Sequence, residues 1–426
     1  MIFFVVAALA GTLPAAESFR LKAVVLDTVP RIVLLPEPGS GLVSSQWLFG
    51  EGADDDDAAA FGLAHLVEHL SFGSIAEGTG EDYDSRLGAL GGLSDGWTDR
   101  ERAGFGASVA AEGAKSGDAL LRLELHRATH LNVSEAAIER QRSVIQEELA
   151  EANDAAHGAD RVWLSQLLWN AGEPWSRHPQ GTPRERVRPA DVLTRWRELV
   201  ERGVLVLAGE FDAPRLRALA EGLLPASGPL TAPAGPELGE PGCEPAAPST
   251  RWVQGNGRRG TVYVAWPVPG RSHRDRVALE ALARWVGGAR LAVGAGCGEW
   301  VVERGDTWLA LPYHRASILR ALRQVAVRGL DDASLDRVRA DAVADYARAL
   351  GSLPLRARVA GSCVLAGRAV DCASEEVDAW LHLTGADLAR AAGRWLLPDG
   401  STTLAVLPPG TRLAPWIPGV SPWSPP

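Results

Sequence analysis

The sequence predicts an α+β protein of two related α/β-sandwich halves, each a mainly antiparallel sheet with helices packed on it, joined by a Pro/Gly-rich linker. Three observations lead to this class. Short strand-like apolar runs are interleaved with amphipathic helical patterns. The stretch 225–250 is dense in Pro, Gly and Ala and has no apolar periodicity. Beyond it the order of elements begins again. Trp266 repeats Trp47, each within a strand-like run, and Asp387 of a Gly-Ala-Asp segment repeats Asp191 of a Pro-Ala-Asp segment, at a somewhat shorter offset. Matching ends around a shortened middle describe two related halves, the second trimmed. The expected layout is a signal peptide over 1–16, a first half over 17–225, a linker over 226–250 and a second half over 251–426.

Residues 1–16 form a short apolar run ending in small residues before Glu17, as a secretory signal peptide does. A membrane span needs about 20 apolar residues, so the mature chain is expected near Glu17, without a span, in the periplasm or secreted; an N-terminal membrane anchor is the alternative. Strand-like runs follow at Leu21–Asp27, Arg31–Leu35 and Gly41–Phe49, then a helical pattern over Ala58–Leu70. A strand at Ala103–Val109, several helices and a strand at Val204–Ala208 complete the first half. The second half opens with a strand at Thr261–Val268 and closes with a helix and the strand Thr403–Leu407.

Composition narrows the function. With 43 basic and 53 acidic residues the formal charge is −10, which argues against a nucleic-acid partner. At 46% hydrophobic and 23% charged residues the chain can bury a sizeable core. Cys243, Cys297, Cys363 and Cys372 lack the C-x-x-C spacing of a thiolate metal site. In an oxidising compartment a disulfide between Cys363 and Cys372 is expected.

The sharpest signal is His65-Leu66-Val67-Glu68-His69 within the helical run Ala58–Leu70. At about 100° per residue the two imidazoles lie about 40° apart on one face, with Glu68 about 60° from His65. Two neutral imidazoles and a carboxylate suit Zn²⁺ with one position left for water. The same i, i+4 spacing recurs at His126 and His130, so spacing alone decides little. The preceding Asp54–Asp57 reads as a solvated loop complementing the helix dipole. A third ligand is sought on the helical segment Glu135–Asn153, which offers Glu147, Glu148 and Glu151. Glu148 falls about 40° from Val144 and about 60° from Ile145, within the expected buried stripe, whereas Glu147 points away.

These residues resemble the inverzincin peptidases of the pitrilysin and mitochondrial processing peptidase type, whose mark is H-x-x-E-H. The stretch from Phe61 to Gly73 is similar to that family's zinc helix, the stretch from Glu139 to Glu148 to its third-ligand helix, and Gly91-Gly-Leu-Ser-Asp-Gly-Trp-Thr98 to its glycine-led edge strand. The resemblance implies His65, His69 and Glu148 as ligands of one zinc per chain and Glu68 as general base. It further implies that Ser94, Asp95, Gly96, Trp97 and Thr98 bind an extended peptide by strand addition. Two departures stand out. Asp95-Gly96 replaces the family's Asn-Ala, and Gln141 stands where many relatives carry a carboxylate. The implied activity is a zinc-dependent endopeptidase acting on short or unfolded peptides. The alternative is a peptide-binding or assembly subunit that keeps the fold without turnover. A dimer is expected, with a homologous non-zinc subunit rather than with itself, because the second half has no histidine pair opposite the motif and no tyrosine among Tyr263, Tyr313 and Tyr346 in a recognisable setting.

Overall fold

The computed structural model describes residues 13–56, 61–73, 82–154, 158–171, 173–178, 181, 187–224, 243–255, 260–305, 311–397, 400–411 and 420–425. The signal peptide expected over 1–16 and the linker expected over 226–250 lie mostly outside them. In chain order the elements are β1 (Val24–Leu26), β2 (Arg31–Pro36), β3 (Leu42–Phe49), α1 (Leu63–Ser71), α2 (Tyr83–Ala89), β4 (Leu93–Thr98), β5 (Ala103–Ala110), α3 (Ala114–Thr129), α4 (Glu135–Asp154), α5 (Gly158–Leu168), α6 (Pro189–Arg202), β6 (Val204–Gly209) and α7 (Ala213–Leu223). Then come β7 (Thr250–Gln254), β8 (Thr261–Pro269), α8 (Arg276–Val286), β9 (Ala289–Val293), β10 (Cys297–Gly305), α9 (Leu311–Arg328), α10 (Asp332–Gly351), α11 (Leu353–Leu365), α12 (Ala373–Leu381), α13 (Gly385–Ala391), β11 (Thr402–Leu407) and β12 (Ser421–Pro422).

Two six-stranded sheets result, in the orders β1-β2-β6-β3-β5-β4 and β12-β7-β11-β8-β10-β9. Five consecutive strands repeat one scheme. The pairs β2·β6 and β7·β11 are parallel, and the remaining pairs among these strands are antiparallel. The register carries the repeat position by position. Gln46 faces Val206 in the first sheet, and Ala265 faces Thr402 in the second. The step along the chain from Gln46 to Ala265 equals that from Trp47 to Trp266, and the step from Val206 to Thr402 equals that from Asp191 to Asp387.

The boundary at 226–250 separates the two sheets but not the two compact units. One unit comprises residues 1–147, 179–235 and 343–378; the other comprises 148–178, 236–342 and 379–426. In the first, α11 from beyond the linker covers one face of the sheet, packing Leu353, Ala357, Ala360 and Val364 on Val33, Leu48, Val204 and Val206. Gly361 permits the approach, since a Cβ there would come within 2.1 Å of Leu48 Cδ1. In the second, α5 from before the linker does the same. Its Leu164 and Leu168, with Trp169 and Trp175, pack on Tyr263, Ala265, Val301 and Leu404. The exchange is reciprocal: α5 and α11 are separated along the chain by almost the same step as Asp191 and Asp387.

With both faces covered, β3 is buried from Val43 to Phe49, and its polar side chains find partners. Ser45 Oγ and Trp47 Nε1 donate to the Glu124 carboxylate at 2.5 and 3.0 Å, Tyr83 OH donates to it at 2.9 Å, and the buried Arg127 pairs with it. Each unit holds one disulfide. Cys363–Cys372 closes the loop after α11, as expected, and Cys243–Cys297 ties the start of the second sheet to β10. No helix among the described residues is long and apolar enough to cross a membrane.

Candidate metal centre

The helix expected from Ala58 begins at Leu63, because Gly62 takes a left-handed conformation (φ 93°) that halts a helix running back through it. Its first N–H groups are capped from a distance. Asp56 accepts from Gly62 N at 2.9 Å and Ala64 N at 3.1 Å. Burial pushes the Asp56 carboxyl up to about 6, against the pull of these N–H groups and of Arg195, 3.8 Å away. The aspartate run thus complements the helix start, as expected, but is only partly solvated: Asp54 is half-buried and pairs with Arg100 at 3.6 Å, Asp55 is exposed and accepts from Gly52 N at 2.7 Å, and Asp56 is buried. Asp57 lies outside the described residues.

On α1, His65 and Glu68 are buried and His69 is half-buried. The Nε2 atoms of His65 and His69 stand 3.2 Å apart, converging on one point. His69 Nδ1 donates to Gln141 Oε1 at 3.2 Å, which turns Nε2 toward that point. Gln141 thus serves as a neutral acceptor where a carboxylate was expected from relatives. Glu148, on the same continuous helix α4, completes the group: one donor atom from each of His65, His69 and Glu148 lies within 4.8 Å of the others. Its placement corrects one step of the helical-wheel argument. The buried stripe of α4 is Ile138, Arg142, Ile145 and Leu149, while Val144 is 41% exposed and Glu148 is exposed. Glu148 instead shares the flank of Gln141, two turns back and about 20° away. No other cluster of three metal-ligating side chains occurs among the described residues, where the rings of His126 and His130 stack as a pair.

The second carboxylate of the site, Glu68 on α1, is held by β4. Thr98 Oγ1 donates to Glu68 Oε2 at 2.6 Å, and a Cβ at Gly96 would stand 2.8 Å from Glu68 Oε1 and 2.9 Å from Phe72 Cε2. A side chain at this position, where the family has alanine, would require Glu68 or Phe72 to shift. β4 ends its sheet, so one backbone edge carries no partner strand among the described residues. Its other side chains are engaged locally. Ser94 Oγ donates to Asp84 at 2.8 Å, Asp95 pairs with Arg358 of α11 at 3.3 Å, and Trp97 lies under the guanidiniums of Arg358 and Arg102 at 5.0 and 5.9 Å. At this strand the sequence reading missed Arg358, which follows the linker, and Leu93, which is 82% exposed. In the second sheet Tyr263 is committed to structure: it is buried and donates to Asp160 at 2.9 Å.

Residues 32–171 match the insulinase family of peptidases. The family whose model matches over that stretch is peptidase family M16. An uncharacterized zinc protease of Mycobacterium leprae is 28% identical over 290 residues, covering 64% of this chain and 62% of its own length. The chain thus spans about three-fifths of that relative's length. Among solved structures, a protease from Helicobacter pylori superposes with a TM-score of 0.75 at 17% identity, covering 91% of this chain and 99% of that one. An M16 peptidase inactive domain from Pseudomonas fluorescens gives 0.73 at 13% identity over 93% and 100%. At these identities the structures establish a shared M16-like fold, and one of them is a domain without activity.

Proposed function

We propose that the chain is a zinc-dependent endopeptidase that hydrolyses peptide bonds of short or unfolded peptides. One observation carries this reading: His65, His69 and Glu148 present one donor atom each within 4.8 Å, and Glu68 lies on the same helix as the histidines, beside the open edge of β4. Two imidazoles and a carboxylate are the donor set of a catalytic zinc site. Zinc held there supplies Lewis acidity, acidifying water and polarising a peptide carbonyl. The remaining steps belong to the chain. Gln141 orients His69, Thr98 holds one oxygen of Glu68, and the Glu68 carboxylate takes up and returns a proton. The backbone edge of β4 aligns an extended peptide by strand addition. Because the side chains of Ser94, Asp95 and Trp97 are engaged within the unit, that alignment rests on backbone pairing and leaves sequence preference broad.

The rest of the reading concerns setting. Two disulfides fit an oxidising compartment, in keeping with export to the periplasm or beyond. A dimer with a homologous subunit lacking zinc is proposed as the working form. A second reading, a peptide-binding subunit without turnover, is favoured by the inactive relative of the same fold and by Gln141 in place of a carboxylate. Peptide cleavage by the purified chain, with and without a homologous subunit and compared with Glu68→Gln, separates the two. Cleavage that the substitution removes supports the peptidase, and zinc binding without cleavage in either assembly supports the binding subunit.

A further inference from the structure

The first unit carries another concavity, lined by none of the metal group. It opens among α3, α6 and the end of α7 and encloses about 730 Å³, within the roughly 300–1,000 Å³ of small-molecule sites. Its floor is apolar: Leu131, Trp196 and Val200 are buried there. The Trp196 indole N–H is already spent on Ala128 O at 3.0 Å, so the ring offers only hydrocarbon surface.

The charged part of the lining is mainly cationic, with His126 and Thr129 as its other polar residues. Arg86, Arg122 and Arg197 stand at the cavity, and Glu201 is its only acidic residue. These three guanidiniums make no ion pair among the described residues, in contrast to their neighbours on the same helices. Arg127 of α3 pairs with Glu124, and Arg195 and Arg202 of α6 pair with Glu51. An apolar floor beneath uncommitted guanidiniums is complementary to one kind of ligand. We propose that this cavity binds an amphipathic anion, its hydrocarbon body against Trp196 and Leu131 and its carboxylate or phosphate head between the arginines.

Titration calorimetry of the full chain with decanoate and with decyl phosphate, both below their micelle concentrations, tests this. Decanol and acetate supply the body and the head separately. Saturable binding of at least one of the two amphiphiles, one per chain, is expected, with decanol and acetate each at least about tenfold weaker. The exposed Arg122→Glu/Arg197→Glu double variant should weaken binding at least about tenfold, and Leu131→Trp should block it with every arginine in place. Circular dichroism confirms that both variants fold. Absence of saturation by either amphiphile, or affinity unchanged in both variants, would overturn the proposal.

Discussion

The helices that follow the central strands of the two sheets, α1 after β3 and α8 after β8, occupy corresponding places in one strand scheme and are built to different ends. In α8, Glu280 pairs with Arg276 and Arg284, and Ala278, Leu279, Ala281 and Leu282 fill the core. α1 places His65 and Glu68 in buried positions and is steadied by other elements: Gln141 of α4 accepts from His69, Thr98 of β4 donates to Glu68, and Asp56 accepts from the N–H groups at its start. The carboxylates at the two helix starts also differ. Asp275, at the start of α8, is buried, which pushes its carboxyl up, but Trp395 Nε1 at 2.9 Å and Arg390 Nε at 3.0 Å outweigh this and hold it below the ordinary value. Asp56 lacks so close a cation, and burial prevails. One scaffold slot thus serves packing when alanine and leucine side chains fill its buried face, and chemistry when histidine and glutamate side chains are buried there.

The largest expected effect that sharpens this contrast is on turnover. Glu68→Gln should lower peptide hydrolysis by roughly 10²–10⁴-fold with zinc retained, since only proton transfer is removed. Glu280→Gln in α8 should leave both unchanged. Steady-state cleavage and metal analysis on the same samples read this out.

The disulfides break the symmetry next. Loop entropy grows with the enclosed segment, so Cys243–Cys297, 54 residues apart, should contribute about 4 kcal/mol and Cys363–Cys372, 9 apart, about 3. Denaturant unfolding of the paired Cys→Ser variants should rank them in that order.

The two aspartates should respond to pH in opposite directions. Asp56 rises from 3.8 unfolded to about 6 folded, so the folded state binds its proton more tightly. Its contribution is full below pH 3.8 and is lost as pH rises through 6, by about 3 kcal/mol. Asp275 is depressed, so its contribution is present above 3.8 and lost as pH falls through its folded value. Thermal unfolding from pH 3 to 7 should show Asp56→Asn flattening the upper part of the profile and Asp275→Asn the acid limb. The smallest effect is on affinity: Gln141→Ala should weaken zinc binding roughly 10–100-fold by freeing the His69 ring.

Much of this was legible because it is local or periodic. The strands were readable from apolar runs, and the Trp47/Trp266 and Asp191/Asp387 offsets anticipated the sheet register. His65, Glu68 and His69 stand within one short motif on one helix, and the company of the Glu135–Asn153 segment set the His65/His69 pair apart from His126 and His130. What escaped depends on contacts between distant segments. Periodicity says that one face of α5 or α11 is buried but not against which sheet, so the exchange across the linker was invisible, as was Arg358 beside Asp95. Asp56 looked solvated because its partners, the N–H groups of Gly62 and Ala64, become its cap only once Gly62 turns left-handed. Glu148 was selected on a stripe that α4 does not bury, and its flank is identified by Gln141 meeting His69. The Cys243–Cys297 bond spans 54 residues and left no spacing signal.

The most direct test of the account is the zinc content of the purified chain and three variants, measured by mass spectrometry of the native protein. About one zinc per chain is expected in the wild type and in Glu68→Gln, and loss of it in His65→Ala and Glu148→Ala. A wild type that takes up no zinc, or a Glu148→Ala variant that retains it fully and so points to Glu147 or Glu151, would contradict the assigned metal group.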